Sequence, residues 1–175
     1  YAAPVQLEKA IQYANSSILS KTLIDPSLKG MGTTVSMVTL ARHMAFWGHV
    51  GDSRIYLYRD GEFKQISVDH TIVQVLLEKG KITEEEAMDH PQRHVLTRAV
   101  GVDENLVVDS GAFEVQPKDR ILICSDGLTS FIQKQELYDA IGDYRRTERE
   151  IINDLFARVY ENGAKDNITA ILTTI

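Results

Sequence analysis

The stretch MAFWGHVGDSRIYLYRDGEFKQI, residues 44–66, decides how the chain is read. Aromatic and β-branched residues crowd 44–50 and 54–58, and residues of that kind fit a pleated, half-buried surface. Asp60-Gly61 follows the second run. A glycine in second place takes positive φ readily, so 54–58 and 62–66 should close as a tight antiparallel hairpin. Upstream, Gly30-Met31-Gly32 is a turn, and the β-rich segment 33–40 returns through Arg42-His43 into 44–50 as its antiparallel partner. The four strands are expected to follow one another in a single meander.

Outward from this centre the periodicity changes. Residues 4–20 place Val5, Leu7, Ala10, Ile11, Ala14, Ile18 and Leu19 near a helical period, with Pro4 tolerated in a first turn. This predicts an amphipathic helix packed on its own sheet. Residues 72–77 form a short apolar helix ending at Gly80, and Thr83 with Glu86 makes a capping box that starts another. Strands are expected at 106–108, 113–115 and 121–124, the last two joined by a turn at 116–119. Helices follow at 133–141 and 147–161, the second stopped by Asn162-Gly163, and 167–175 ends the chain as a strand. Strands in consecutive runs with helices mainly at the two ends give α+β layers on antiparallel sheets, not alternating βαβ units.

Composition narrows the function. A chain of 175 residues with 43% hydrophobic and 25% charged residues is an ordinary globular domain. Its net charge of -6 would repel a phosphate backbone, so nucleic acid is not an expected partner. The single cysteine, Cys124, lies within an apolar run and reads as a small buried residue. The chain has no run of about 18 apolar residues to form a membrane segment, and its N-terminus lacks the pattern of a signal peptide. A cytoplasmic setting is expected.

Three aspartates stand where apolar strands meet loops: Asp52 after Gly51, Asp126 after Ser125, and Asp166 before Asn167. Singly, each reads as a turn former or cap. Together, with Gly51, Ser53, Ser125 and Gly127 beside them allowing close approach, they suit hard cations such as Mg2+ or Mn2+, which require several carboxylate oxygens.

Six motifs then occur in order: Gly30-Met31-Gly32-Thr33-Thr34, Gly48-His49-Val50-Gly51-Asp52-Ser53-Arg54-Ile55-Tyr56, Asp69-His70, His94-Val95-Leu96-Thr97-Arg98-Ala99-Val100-Gly101, Cys124-Ser125-Asp126-Gly127-Leu128-Thr129 and Asp166-Asn167-Ile168-Thr169. This succession resembles the metal-dependent protein phosphatases of the protein phosphatase 2C type. The insert from Asp69 to Arg93 is most similar to the bacterial serine/threonine phosphatase branch, where it forms a mobile flap beside the active site. The resemblance implies one catalytic domain over residues 1–175 with a flap subdomain at 69–93. Its fold would be an α-β-β-α sandwich of two antiparallel sheets flanked by helices.

The resemblance also implies a reaction: hydrolysis of phosphoserine and phosphothreonine on proteins by metal-activated water at a centre of two or three Mn2+ or Mg2+ ions. Phosphoprotein substrates and an opposing bacterial Ser/Thr kinase are the implied partners. By position, Asp126 and Asp166 match ligands of the two-metal centre. Asp52 matches a ligand to a third metal, shared with Asp126 and assisted by the backbone near Ser53. Arg54 and Arg98 are candidates for phosphate contact, although fixing loop geometry through neighbouring aspartates is the favoured role. His49 reads as a packed core histidine, and His70, His90 and His94 bracket the flap without zinc-like spacing. The family also carries, ahead of its equivalent helix, a phosphate-gripping Arg, a Glu-Asp pair and an Asp-Gly loop whose aspartate bridges both metals. None of these precedes Tyr1, so an N-terminally truncated and poorly active domain is implied. A pseudophosphatase, or regulatory binding module that keeps the fold without turnover, is the alternative.

Overall fold

The computed structural model describes residues 3–164 and 166–175. In chain order the elements are α1 (Ala3–Ile24), β1 (Val35–Ala41), β2 (Met44–Val50), β3 (Arg54–Arg59), β4 (Glu62–Gln65), α2 (Ile72–Glu78), α3 (Glu84–Met88), β5 (Asp109–Glu114), β6 (Arg120–Cys124), α4 (Asp126–Thr129), α5 (Lys134–Ile141), α6 (Glu148–Glu161) and β7 (Ala170–Thr174). They make an α+β fold with two antiparallel sheets, in the orders β1-β2-β5 and β4-β3-β6-β7, and flanking helices. Two compact units divide the elements. One takes the chain up to Asp52 with Val68–Phe113, and the other takes Ser53–Ser67 with Glu114–Ile175.

In the first unit the apolar stripe of α1 meets β2 at Gly48. A Cβ on Gly48 would stand 3.0 Å from Ile11 Cδ1 and 3.4 Å from Leu7 Cβ, so the missing side chain lets the helix lie close on the strand. Ile11, Val50, Val100 and Leu106 form the core beneath it. The helix runs past the expected 4–20 to Ile24. Within it Ser16, Ser17 and Ser20 turn their hydroxyls back to carbonyls one turn earlier. Residues 106–108 are not the strand their composition suggested. Buried Asn15 on α1 donates to the Asp103 carbonyl (2.7 Å) and accepts from the Gly101 N–H (2.6 Å). That anchors the loop and sends Leu106 into the core, and the ladder begins only at Asp109.

In the second unit, side chains alternate along the strands with period two. Tyr56, Tyr58, Leu122 and Cys124 share a core with Leu137 and Ile141 of α5 and Ile151, Leu155 and Val159 of α6. Buried Cys124 is thus a packing residue. The expected hairpin at Asp60-Gly61 forms, with φ of 48° and 82°. Thr147 and Glu150 make a capping box at the start of α6. The one-turn helix α4 carried too few residues to show a period in the sequence.

The single meander does not form, because the chain changes sheet at Gly51. Strand β2 pairs with β1, whereas β3 pairs with β4 and β6. Gly51 takes φ +113°, and a Cβ there would lie 2.4 Å from Thr34 Cγ2, so only glycine makes this corner. The turn at 116–119 likewise joins strands of different sheets, with β5 beside β2 and β6 between β3 and β7.

Asp119 locks that turn. It is 1% exposed, and its carboxylate accepts from Arg59 Nε (2.8 Å), Arg59 Nη2 (2.6 Å) and the Gln116 N–H (2.8 Å). Burial pushes its pKa up, but the Arg59 and Gln116 bonds outweigh burial and hold it below the usual value. The stabilisation is therefore complete above the unfolded pKa of about 4 and drains away as pH falls through the lower folded value. Asp119→Asn should lose about 1–3 kcal/mol of stability in urea unfolding at neutral pH, with the gap to wild type closing in acid. A gap that stays constant with pH would rule out the ionised carboxylate as its source.

Candidate metal centre

Strands β6 and β7 pair from Arg120↔Thr174 to Cys124↔Ala170. One more rung follows. The Ser125 N–H donates to Thr169 O (2.9 Å), and the Thr169 N–H donates to Ser125 Oγ (3.1 Å). Ser125 is the N-cap residue of α4, yet its side chain makes no capping bond. Beyond the rung Gly127 meets the returning chain, and a Cβ there would lie 2.2 Å from Asn167 O. This approach puts half-buried Asp126, the first residue of α4, and exposed Asp166, on the loop before β7, at one end of the β6-β7 ladder. Asp166 is oriented by its own chain, its Oδ1 accepting from the Asn167 N–H (2.7 Å). Arg54 pairs in register with Cys124, so Ser53 enters β3 at that same end of the sheet. The Arg54 guanidinium donates to Tyr56 OH (3.2 Å).

Asp52 ends the stretch of the first unit that Gly51 turns, and two buried histidines shape its approach. His49 Nε2–H donates to Val68 O (3.0 Å), which leaves Nδ1 to accept from Ser36 Oγ (2.8 Å). Burial first, and the adjacent His70 ring second, push the His49 pKa down to about 4, so it is neutral at neutral pH. His70 Nδ1 faces the Gly51 N–H (3.1 Å), and the His70 N–H donates to Gly51 O (2.8 Å). On its other side His70 Nε2 lies 3.0 Å from Asp109 Oδ2, and Arg98 Nη1 lies 2.6 Å from Asp109 Oδ1. Burial raises the Asp109 pKa, but hydrogen bonds from His70 and Arg98 outweigh it and hold the carboxyl below its usual value. Arg98 is thus tied to the first residue of β5. Asp109 carried no signal in the sequence, since its partner His70 lies 39 residues away.

Among the described residues no group of three or more His, Cys, Asp or Glu side chains is gathered to hold a metal ion. The sequence profile of the family described as protein phosphatase 2C matches residues 2–173. The chain belongs to the protein phosphatase 2C family. Within it, the serine/threonine phosphatase Stp of Listeria monocytogenes is 36% identical over 166 residues, 95% of this chain and 66% of that protein. The chain therefore spans just under two thirds of that relative's length. A solved structure of the Mycobacterium tuberculosis serine/threonine phosphatase PstP/Ppp matches with a TM-score of 0.93 at 34% identity, over 100% of this chain and 73% of that one. The catalytic domain of PstP in complex with two manganese ions matches with a TM-score of 0.85 at 33% identity, over 97% and 70%.

The contact at Gly127 has a direct test. Gly127→Ala should push residues 125–127 and 167–169 apart, lowering stability by about 1–3 kcal/mol and Tm by several degrees. The amide resonances of Asn167 and Thr169 should move while that of Gly51 stays in place. An unchanged Tm with unmoved Asn167 and Thr169 signals would show that the close approach does not exist in solution.

Proposed function

We propose that this chain contributes carboxylate ligands to a Mn2+ or Mg2+ centre that hydrolyses phosphoserine and phosphothreonine on proteins. The observation that carries the reading is the placement of Asp126 and Asp166 at one end of the β6-β7 ladder, in a protein phosphatase 2C chain. The serine/threonine phosphatases among its relatives support it, as does the pair of manganese ions in PstP. The donors suit such cations: they are carboxylate oxygens at a half-buried helix start and an exposed loop, where retained water can fill the remaining coordination positions. The chain's one thiol, Cys124, is packed in the core.

When bound, such ions activate a water for in-line attack and neutralise charge on the phosphoryl oxygens. Asp126 and Asp166 hold the central pair, and the Gly127 contact fixes the segments that carry them. Asp52, with the Ser53 backbone beside it, supplies a third and weaker position. Phosphoproteins made by a bacterial Ser/Thr kinase are the substrates, and the setting is the cytoplasm. No helix among the described residues is long and apolar enough to cross a membrane.

In the complete protein, Asp126→Ala or Asp166→Ala should lower turnover on the order of 10²-fold or more. Asp52→Ala should chiefly raise the Mn2+ concentration needed for half-maximal rate. Calorimetric Mn2+ titration of the same variants separates lost binding from lost chemistry, and a fully active Asp126→Ala protein ends the two-metal account. The flap yields a second test. Val73 is the buried residue of α2, and α3 has none, so within the 69–93 flap the part beyond the buried His70 and Thr71, residues 72–93, is held weakly and is suited to gate access. Deleting them should change turnover of phosphoproteins more than that of a small aryl phosphate. Equal losses on both substrates would remove the gating role.

A further inference from the structure

The corner at Gly51 sets where the chain delivers Asp52, and His70 grips that corner from two sides. The His70 backbone N–H donates to Gly51 O (2.8 Å), and its ring Nδ1 lies 3.1 Å from the Gly51 N–H. A backbone N–H can only donate. Were Nδ1 protonated, two donors would face each other in a buried site, so Nδ1 must carry the lone pair and the proton must sit on Nε2. Nε2 lies 3.0 Å from Asp109 Oδ2, the acceptor such a proton needs. Arg98 Nη1, 2.6 Å from Oδ1, balances the carboxylate. Arg98 Nη1 is also 3.1 Å from His70 Nε2, but the tautomer required by Gly51 makes that a side-by-side arrangement of two donors on one carboxylate.

We propose that His70 is a positioning residue whose tautomer, set by Asp109, holds the Gly51 amide and thereby the loop that presents Asp52. The link from this loop to metal binding rests on the reading of Asp52 given above, whereas the tautomer and the amide contact do not. A carboxylate that fixes which imidazole nitrogen carries the proton controls what the other nitrogen can accept.

The decisive variant keeps shape and reverses polarity. In Asp109→Asn, Arg98 still donates to the amide oxygen, which turns the NH2 group toward His70 Nε2. Nε2 must then accept, Nδ1 gains the proton, and the Gly51 N–H loses its acceptor. In the complete protein labelled with 15N, the ring nitrogens of His70 should report the Nε2–H tautomer in wild type and the Nδ1–H tautomer in Asp109→Asn. Hydrogen exchange at the Gly51 amide should speed up at least about tenfold in the variant. His70→Asn, whose side-chain oxygen can stand near the place of Nδ1, should retain most of the Gly51 protection while losing the tie to Asp109. The Mn2+ concentration for half-maximal turnover should rise in Asp109→Asn with little change in the rate at saturating Mn2+. An Nδ1–H tautomer in wild type overturns the proposal. So does unchanged Gly51 exchange in Asp109→Asn or, should that variant fail to fold, loss of Gly51 protection in His70→Asn. If Asp52→Ala leaves the metal dependence unchanged while the tautomer and exchange results hold, the assignment of Asp52 fails and the role of His70 stands.

Discussion

Two stretches of backbone must touch at Gly127 for the two carboxylates to share one end of a sheet. Ser125 still pairs with Thr169 as a last rung, and beyond it the Asn167 carbonyl occupies the space that any Cβ at 127 would need. The carboxylates of Asp126 and Asp166 are therefore carried by main-chain contacts. On the Asp126 side these contacts start from the end of β6, a strand paired on both sides by β3 and β7. Residues that must meet a ligand in fixed geometry are best mounted on such elements.

Each unit also carries buried polar groups, and both follow the rule that such groups persist only when paired. In the first unit the chain runs from Arg98 through Asp109 and His70 to the Gly51 amide, with His49 held neutral beside it. In the second, Arg120 is 3% exposed and donates to the carbonyls of Ile141 (2.7 Å), Asp143 (3.2 Å) and Arg146 (3.1 Å), while its guanidinium lies 4.3 Å from the Tyr144 ring centroid. That arginine ties the segment between α5 and α6 to the first residue of β6. The two networks differ in what they can do. Arg120 is a permanent donor that closes a loop, whereas an imidazole has two states of polarity and passes the choice made at one nitrogen to the other.

Local chemistry was legible in the sequence wherever it was decided within a few residues. The hairpin at Asp60-Gly61, the capping box of Thr83 and Glu86, and the bounds of β2 all follow from neighbours in the chain. Strand connectivity was not legible, because Gly51 looks like any turn glycine until Thr34 is brought against it. The strand expected at 106–108 failed for a similar reason: Asn15, on a distant helix, supplies the hydrogen bonds that a ladder would have supplied. Within the site, the aspartates announced themselves through small flanking residues, but Asp109 opens a strand like many other polar residues. Only folding places it against His70.

The segments that carry Asp126 and Asp166 meet at one end of the β6-β7 ladder, and the fold has to hold both acidic residues there. The contacts that fix these segments are uncharged: an amide-carbonyl rung, a hydroxyl accepting from an amide, and a glycine against a carbonyl. None of them weakens when the carboxylates ionise. A cation held between these segments would bind without moving the backbone. Its binding free energy would then add to the stability of the folded state by mass action instead of being spent on rearranging the site.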